Sequence, residues 1–319
     1  MKSVLSRYLD PDLLSRLAER HIEPRGLVLG NLAGAHKSPL SGFAVEFAGH
    51  REYVWGDDPK HVDWRLYYTR DKYFIKQYEM ETNFVCHLVL DVSASMRYGG
   101  DATAPASAET VSASDPAGAP SEQKLLYAAR MASTLGYAIV KQSDKVSLAT
   151  FDDRVRGFVP PGNSMAQIVR MTGHLDDMRP VDKTRMAECL TELAGRMGRS
   201  EIVMIFSDFL TDLDELEKVL QRLRYQRHEV ILFQVLHHDE IAFDFQGQVK
   251  FVGLEAVEEL TTQPSELKEA YLEAFGEFQR KFDDICHRNR VERVVVDTSH
   301  DMASVFVDYL NERSVLARR

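Results

Sequence analysis

The sequence predicts an α/β protein built on a doubly wound, mostly parallel sheet, and three observations support this prediction. Nearly continuous apolar segments recur after residue 84, as expected for strands that are buried on both faces. Amphipathic segments separate several of them, and this alternation is typical of parallel strands covered by helices. The chain before residue 84 lacks the alternation and predicts an N-terminal β-rich accessory segment.

The predicted strands and helices follow from the spacing of apolar residues. The strands are expected at residues 84–91, 145–152, 155–160, 201–208, 229–236, 248–255 and 291–298. The helices are expected at residues 124–142, 165–173, 186–197, 213–225, 266–288 and 303–312. Ligands of doubly wound sheets bind outside the carboxyl ends of the strands, so polar residues that directly follow a strand are the first candidates for a site.

The domain organisation is predicted to have two parts and one insertion. Residues 1–80 are expected to form an N-terminal helix, which begins near Asp10 and Pro11, and the β-rich accessory segment. Residues 81–319 are expected to form the α/β domain. Within it, residues 99–121 consist almost wholly of small, polar and acidic residues with proline. Such a segment buries too little apolar surface to fold, so we expect a flexible insertion.

The composition disfavours several classes of protein. The chain has 49 acidic and 39 basic residues, a net charge of −10, which argues against binding nucleic acid or an anionic membrane. No apolar run approaches the roughly 20 residues that span a bilayer, and the start lacks a signal-peptide pattern. A cytoplasmic protein without direct membrane insertion is therefore expected. Cys86, Cys189 and Cys286 are far apart, which predicts buried free thiols.

Side-chain oxygens follow the first predicted strand at every second position, in the motif "DVSASM". Asp91, Ser93 and Ser95 would point to one side of an extended loop. Carboxylate and hydroxyl oxygens suit Mg²⁺, with Mn²⁺ or Ca²⁺ as alternatives. Asp208 ends another apolar strand, and Thr184 lies just ahead of a helix. Each residue alone is also consistent with a turn or a helix cap, but the combination favours a metal site.

The motif and its surroundings resemble a known family. "DVSASM" matches the Asp-x-Ser-x-Ser signature of von Willebrand factor A-type domains, which have a Rossmann-type fold and a metal-ion-dependent adhesion site. The stretches "REYVWGDDPKHVDWRLYYTRDKYFIKQYEMETN", "KLLYAARMASTLGYAIVKQSDKVSLATFDDRV" and "IVMIFSDF" resemble the bacterial domain of unknown function 58 family, over roughly residues 26–210. The resemblance implies that three loops bind the metal, through Asp91, Ser93 and Ser95, through Thr184, and through Asp208.

The resemblance also implies partners, and the sequence departs from the family in one place. Such proteins are often encoded beside MoxR-type AAA+ ATPases, which implies a MoxR-type ATPase, an acidic-ligand client, or both as partners. Family members usually carry glycines before the second-loop threonine, whereas Asp182 and Lys183 precede Thr184 here and Arg185 follows it. The two basic residues would either repel a cation or attract an acidic ligand.

Three functions are compatible with these residues. One direct carboxylate leaves Mg²⁺ undercompensated, which favours a non-enzymatic adaptor that binds a partner's Asp or Glu. A metal-free scaffold with a degenerate site is the second function. The third is a magnesium-dependent phosphoryl-transfer enzyme with Asp91 as nucleophile. Ser93 argues against this enzyme, because related phosphatases have a general acid at that position.

Three other segments are interpreted without a function. "SEQK" at residues 121–124 fits a Ser-x-x-Lys motif that often occurs by chance. "LHHDE" at residues 236–240 favours a solvated turn after a strand, since no further ligand accompanies it. The segment around Trp55 and Trp64 favours an accessory unit, with tryptophans buried against the main domain and Arg–Asp pairs, over a partner-docking surface.

Overall fold

The protein is described by a computed structural model that covers most of the chain. The described residues are 2–17, 22, 45–55, 59, 62–80, 84–99, 123–178, 184–245, 249–253 and 259–317. Contacts divide the chain into a larger unit, Met1–Leu27 with Phe84–Arg319, and a smaller unit, Val28–Asn83. Except for Gly99, the predicted insertion at 99–121 lies outside the described residues.

Two short helices begin the chain, α1 (Lys2–Tyr8) and α2 (Pro11–Leu17). Tyr8, Leu13 and Leu17 are buried in the same apolar cluster as the strands that follow residue 84. The apolar residues of α1 and α2 therefore pack within the larger unit.

The smaller unit contains two antiparallel strands and a helix. Strand β1 (Val45–Glu52) pairs with β2 (Phe74–Met80), and α3 (Trp64–Arg70) lies between them in sequence. Only strands and turns were expected here, so α3 is a correction. The helix forms because Asp63 caps its start, accepting hydrogen bonds from the backbone N–H groups of Arg65 and Leu66, and the left-handed Asp71 ends it.

Both tryptophans of the smaller unit are exposed. Trp55 is 95% exposed and Trp64 is 54% exposed, so the expected burial of the tryptophans is wrong. Trp64 instead contacts Tyr67 and Tyr73 edge to face, with ring centroids 6.2 and 6.3 Å away. Asp63 pairs with His50 at 2.9 Å in addition to capping α3.

The larger unit is built on a six-stranded sheet. Its six strands are β3 (Val85–Asp91), β4 (Lys145–Phe151), β5 (Val155–Gly162), β6 (Ile202–Ser207), β7 (Glu229–Leu236) and β10 (Glu292–Asp297). Two further strands, β8 (Val249–Val252) and β9 (Glu259–Thr262), form a separate antiparallel pair. The order in the sheet is β10-β7-β6-β3-β4-β5, and every neighbouring pair is parallel except β4–β5. The segment predicted as a strand at 248–255 therefore contributes β8, which lies outside the main sheet.

Helices cover both faces of this sheet. They are α4 (Lys124–Lys141), α5 (Met165–Asp176), α6 (Met186–Ala194), α7 (Leu213–Tyr225), α8 (His238–Ala242), α9 (Pro264–Asn289) and α10 (Met302–Ala317). Alternate strand residues enter two separate cores: Leu88 and Leu90 pack with residues of α4 and α10, whereas Val89 packs with residues of α6 and α7. The predicted doubly wound, mostly parallel architecture is thus confirmed.

Strand order reverses beside the predicted site. The chain passes from β3 to β4 on one side, and β6 then pairs with the other side of β3. Asp91 is the last residue of β3, and Asp208 directly follows β6. The two carboxylates therefore lie where a doubly wound sheet binds its ligands.

Two expectations about the whole chain can be compared with the structure. Cys86, Cys189 and Cys286 are buried free thiols, as predicted. Across the described ranges, no helix combines the length and apolar character needed to cross a membrane.

Candidate metal and ligand site

Asp91 is held in a fixed orientation at the end of β3. Its carboxylate is 1% exposed, Oδ1 accepts the backbone N–H of Ser93 at 2.9 Å, and Oδ2 accepts the hydroxyl of Ser207 at 2.7 Å. Burial, together with the negative charge of Asp208, raises the pKa of Asp91 to about 7. A cation placed beside this carboxylate would stabilise its ionised form.

The structure brings Ser93 and Ser95 together with Asp91. The Oγ atoms of the two serines are 3.1 Å apart, and a hydrogen bond from Ser93 to the carboxylate lowers the pKa of Asp91. A single 3₁₀ turn, Ser95–Arg97, follows at once, with the N–H of Met96 bonded to the carbonyl of Ser93. The predicted first loop therefore gathers three side-chain oxygens at the carboxyl end of β3.

Thr184 lies at the same edge of the sheet as Asp91. The N–H of its neighbour Arg185 donates to the carbonyl of Asp152 at 2.9 Å, and Asp152 directly follows β4. In the register of the β3–β4 pair, Phe151 stands opposite Asp91. Within the part of the chain that the structure describes, the buried Oγ1 of Thr184 has no hydrogen-bond partner. Such an orphaned buried hydroxyl is costly unless a ligand uses it.

The alternative role of Thr184 as a helix cap is not found. Helix α6 has Arg185 at its N-cap position, without a side-chain capping hydrogen bond. The guanidinium of Arg185 is largely exposed and lies 3.4 Å from Glu188. Asp182 and Lys183, which the sequence analysis also considered, lie outside the described residues.

Asp152 anchors the segment that carries Thr184. Its carboxylate is fully buried, and Nε of Arg156 lies 2.6 and 2.7 Å from the two carboxylate oxygens. The carbonyl of Asp152 also accepts a weak hydrogen bond from the thiol of Cys189 at 3.6 Å, within α6. The ion pair connects the end of β4 to the start of β5, and the carbonyl of Asp152 connects both to the start of α6.

Asp208 is fixed on the other side of the switch point. Its Oδ1 accepts the N–H of Leu210 at 3.3 Å, and its carbonyl accepts the side-chain amide of Gln234 at 3.0 Å. The next residue, Phe209, is buried and left-handed, with φ of 56°, and its N–H donates to Oγ of Ser207 at 2.9 Å. Because Ser207 also donates to Asp91, a single hydroxyl connects the ends of β3 and β6.

Lys124 and Glu240 form a cluster of charged side chains with Asp208, and neither residue was predicted from the sequence. Lys124, the first residue of α4, is 0% exposed, and its Nζ lies 2.8 Å from Oδ2 of Asp208 and 2.7 Å from Oε1 of Glu240. Burial alone lowers the pKa of the ammonium, but the two carboxylates outweigh it and raise the pKa above its ordinary value. The sequence does contain one signal. A lysine begins a long helix whose first turn has no acidic residue, although the helix dipole favours negative rather than positive charge there.

The segment interpreted as a solvated turn, residues 236–240, is ordered structure, which corrects that interpretation. His237 is buried and begins α8 through a capping box, in which Oε2 of Glu240 accepts the N–H of His237 at 2.8 Å. The ring of His237 packs edge to face with Tyr98, whose hydroxyl donates to Asp239 at 3.0 Å. The backbone N–H of Lys124 in turn donates to the carbonyl of Tyr98.

The residues present fit a hard divalent cation. No cluster of three or more His, Cys, Asp or Glu side chains with the geometry of a metal site occurs within the described ranges. The donors here are instead one buried carboxylate, Asp91, with the hydroxyls of Ser93, Ser95 and Thr184, a set that suits Mg²⁺. Asp208 is already paired with Lys124, so it is suited to support the site from a distance.

Similar folds occur in solved structures of low sequence identity. A conserved hypothetical protein, BatB, from Bacteroides thetaiotaomicron is 14% identical, with a TM-score of 0.44 over 74% of this chain and 100% of that chain. An aerotolerance-related membrane protein from Bacteroides fragilis is 16% identical, with a TM-score of 0.45 over 72% and 99%. The VWA domain of SpRpn10 is 11% identical, with a TM-score of 0.38 over 72% and 95%. No curated protein matches the sequence.

A family model matches most of the chain. The model described as "Protein of unknown function DUF58" matches residues 49–109 and 108–280, which include Asp91, Ser93, Ser95, Thr184 and Asp208. The match also includes Lys124 and Glu240, and it confirms the resemblance seen in the sequence. The chain belongs to the DUF58 family.

Proposed function

We propose that this protein is a non-enzymatic adaptor that uses a divalent cation at the Asp91 site to bind an acidic side chain of a protein partner. The single observation that supports it best is the buried hydroxyl of Thr184, which no described residue uses, at the sheet edge where Asp91 lies. A buried hydroxyl that has no partner among the described residues, at the sheet edge where a buried carboxylate lies, suits a ligand.

The residues that would hold the cation are those of the three loops. Asp91, Ser93 and Ser95 would contribute from the first loop and Thr184 from the second, with Asp208 in support. The metal would be Mg²⁺, or alternatively Mn²⁺ or Ca²⁺, and when bound it supplies positive charge for a carboxylate oxygen of the partner. Ser207 and the backbone N–H of Ser93 orient the Asp91 carboxylate for this role.

The partner follows from the family rather than from the geometry. Membership of the family suggests a MoxR-type AAA+ ATPase, an acidic client of that ATPase, or both. The adaptor would connect the two in client maturation or complex assembly in the cytoplasm. Such a partner needs an exposed Asp or Glu, since that is the group an undercompensated cation recruits.

A metal-free scaffold is the second candidate, and Lys124 favours it. A single buried ammonium is shared by Asp208 and Glu240, so part of the negative charge at the site is offset without a metal. A phosphoryl-transfer enzyme with Asp91 as nucleophile is third, because position 93 offers a hydroxyl in place of a general acid.

Metal binding and partner capture test the adaptor in two steps. Isothermal titration of the purified chain with Mn²⁺ is expected to show one site in the wild type and none in Asp91→Asn. Asp144→Asn, a buried aspartate outside the site, is the matched control and should bind as the wild type does. Affinity capture is then run with wild type and Asp91→Asn, each with Mg²⁺ and with EDTA. Capture of the same partners in all four samples would contradict metal-dependent recognition.

A further inference from the structure

The ammonium group of Lys124 is buried at the candidate site. It is fully buried, and two carboxylates from different elements, Asp208 after β6 and Glu240 in α8, lie within hydrogen-bond distance of it. A buried ammonium is costly unless acidic groups surround it, so these contacts must persist in the folded protein. Lys124 therefore has a fixed position beside the candidate site.

The carboxylates that Lys124 contacts are themselves held in place. Glu240 uses its second oxygen to accept the N–H of His237 at 2.8 Å, and its carbonyl accepts the hydroxyl of Tyr271 at 2.8 Å. Asp208 uses its second oxygen to accept the N–H of Leu210. Neither acid can turn away from Lys124 without losing a hydrogen bond of its own.

Lys124 offsets part of the negative charge around the candidate site. Asp91, Asp208 and Glu240, when ionised, supply three negative charges, and Lys124 supplies one positive charge. Lys124 pairs directly with Asp208 and Glu240, so Asp91 is the carboxylate of this group that has no cationic partner among the described residues. The group therefore has a net charge of about −2, which a divalent ion beside Asp91 would bring to zero.

We propose that Lys124 is the resident cation of this site, which neutralises Asp208 and so withholds that carboxylate from a divalent ion. The metal is then bound more weakly than two free aspartates would bind it, and it keeps a coordination position that a partner's Asp or Glu can occupy. This role rests on the proposed function and assigns its ligand preference to a residue outside the adhesion-site motif.

The competing explanation is that Lys124 only joins α4 to the sheet. A purely structural ion pair would change the free energy of unfolding when it is broken, but it would leave the affinity for a metal unchanged. A resident cation would change the metal affinity in a direction that depends on which partner of the ion pair is removed. Metal affinity, measured on folded protein, therefore distinguishes the two roles.

The test is Mn²⁺ titration of the full chain by calorimetry, with variants that act in opposite directions. Lys124→Met is expected to bind Mn²⁺ about tenfold more tightly than the wild type, because Asp208 then lacks its positive partner. Glu240→Gln is expected to bind it several-fold more weakly, because Lys124 then pairs with Asp208 alone. Lys141→Met, at the exposed far end of α4, is the matched control and should not differ from the wild type.

Unchanged or weaker Mn²⁺ binding by Lys124→Met would overturn the proposal. If that variant does not fold, Glu240→Gln decides: weaker binding supports the resident cation, and unchanged binding overturns it. The outcome is separable from the adaptor function. A wild type that binds no Mn²⁺ while Lys124→Met does would support the role of Lys124 and contradict the metal-dependent adaptor. A wild type that binds Mn²⁺ through Asp91, with no gain in affinity in Lys124→Met, would support the metal-dependent adaptor and contradict the role of Lys124.

Discussion

The hydroxyl of Ser207 lies 2.7 Å from Oδ2 of Asp91 and donates to it across the switch point of the sheet. The hydroxyl oxygen of Ser207 also accepts a hydrogen bond from the backbone N–H of Phe209, the left-handed residue that follows Asp208. Ser207 thus orients the carboxylate of the first loop and shapes the backbone of the third. A serine that is the last residue of a buried strand connects the two loops without being part of the adhesion-site motif.

Replacing Ser207 with alanine should destabilise the protein. The change removes two hydrogen bonds, one of them to a buried carboxylate, and leaves the Phe209 N–H unsatisfied. We expect the free energy of unfolding to fall by about 2–3 kcal/mol, measured by urea denaturation at pH 7. Ser265→Ala, at an exposed position in the first turn of α9, is the control and should cost less than about 0.5 kcal/mol. Equal stability of the two variants would show that the Ser207 hydroxyl is not used in this way.

The Asp152–Arg156 pair should matter for both stability and metal affinity. Arg156→Gln would leave the buried Asp152 carboxylate without its cation, so we expect a loss of about 2–3 kcal/mol. Because Asp152 holds the backbone beside Thr184, Mn²⁺ affinity should also fall. Arg154→Gln, an exposed arginine two residues earlier, is the control. If both variants unfold at the same urea concentration, the ion pair is not what fixes this loop.

Asp144 should make the protein less stable as the pH rises. Burial raises its pKa to about 6 from an ordinary 3.8, although the N–H of Phe84 donates to it at 3.1 Å. Between these two values the folded state binds more protons than the unfolded state, so stability falls with increasing pH. Asp144→Asn keeps an oxygen for Phe84 and removes the charge. It should therefore raise the free energy of unfolding at pH 7.5 by about 1–2 kcal/mol.

The pH profile separates this electrostatic effect from a change in packing. The gain in Asp144→Asn should shrink when the same urea denaturation is repeated at pH 4.5, where the folded wild type already holds the proton. Asp177→Asn, an exposed aspartate at the end of α5, should leave the profile of the wild type unchanged. A gain for Asp144→Asn that is constant with pH would contradict the role of the buried charge.

Part of the site could be predicted from sequence because strand ends carry it. Asp91 and Asp208 each end an apolar run, and parallel strands bring their carboxyl ends to one edge whatever the strand order. Ser93 and Ser95 follow Asp91 in the chain, so local geometry alone places them. Thr184 was a candidate because it lies just ahead of a predicted helix, and the family resemblance then assigned it to the second loop.

The remaining part of the site depends on tertiary packing. Lys124 is 84 residues from Asp208 and 116 residues from Glu240, so no local pattern connects them. Glu240 lies in a short run of histidines and acids that is typical of an exposed turn, so the capping box that begins α8 was not predicted. In the smaller unit, the aromatic residues of α3 favoured a prediction of strands, whereas the helix depends on the hydrogen bonds that Asp63 accepts at its start. Propensity misleads where a cap or a distant ion pair decides the structure.

His87 has the connectivity of a hydrolytic triad without the access that one needs. Its Nδ1 lies 2.6 Å from Oγ of Ser147, and its Nε2 lies 2.8 Å from Oε2 of Glu201. Ser147, however, is 1% exposed, and it stands directly opposite His87 in the register of β3 and β4. A nucleophile must reach a substrate carbonyl, so this arrangement is structural.

We therefore expect no reaction of Ser147 with a fluorophosphonate probe, assayed by mass spectrometry of the intact wild type. Ser147→Ala and Ser265→Ala should give the same unlabelled result. Glu201→Gln should instead lower stability at pH 7, because Glu201 has its pKa lowered by the hydrogen bond and charge of His87, against the effect of burial. That contribution is present above the unfolded pKa of a glutamate and is lost as the pH falls through the lower folded value. Labelling that disappears only in Ser147→Ala would make the protein an enzyme and contradict the adaptor.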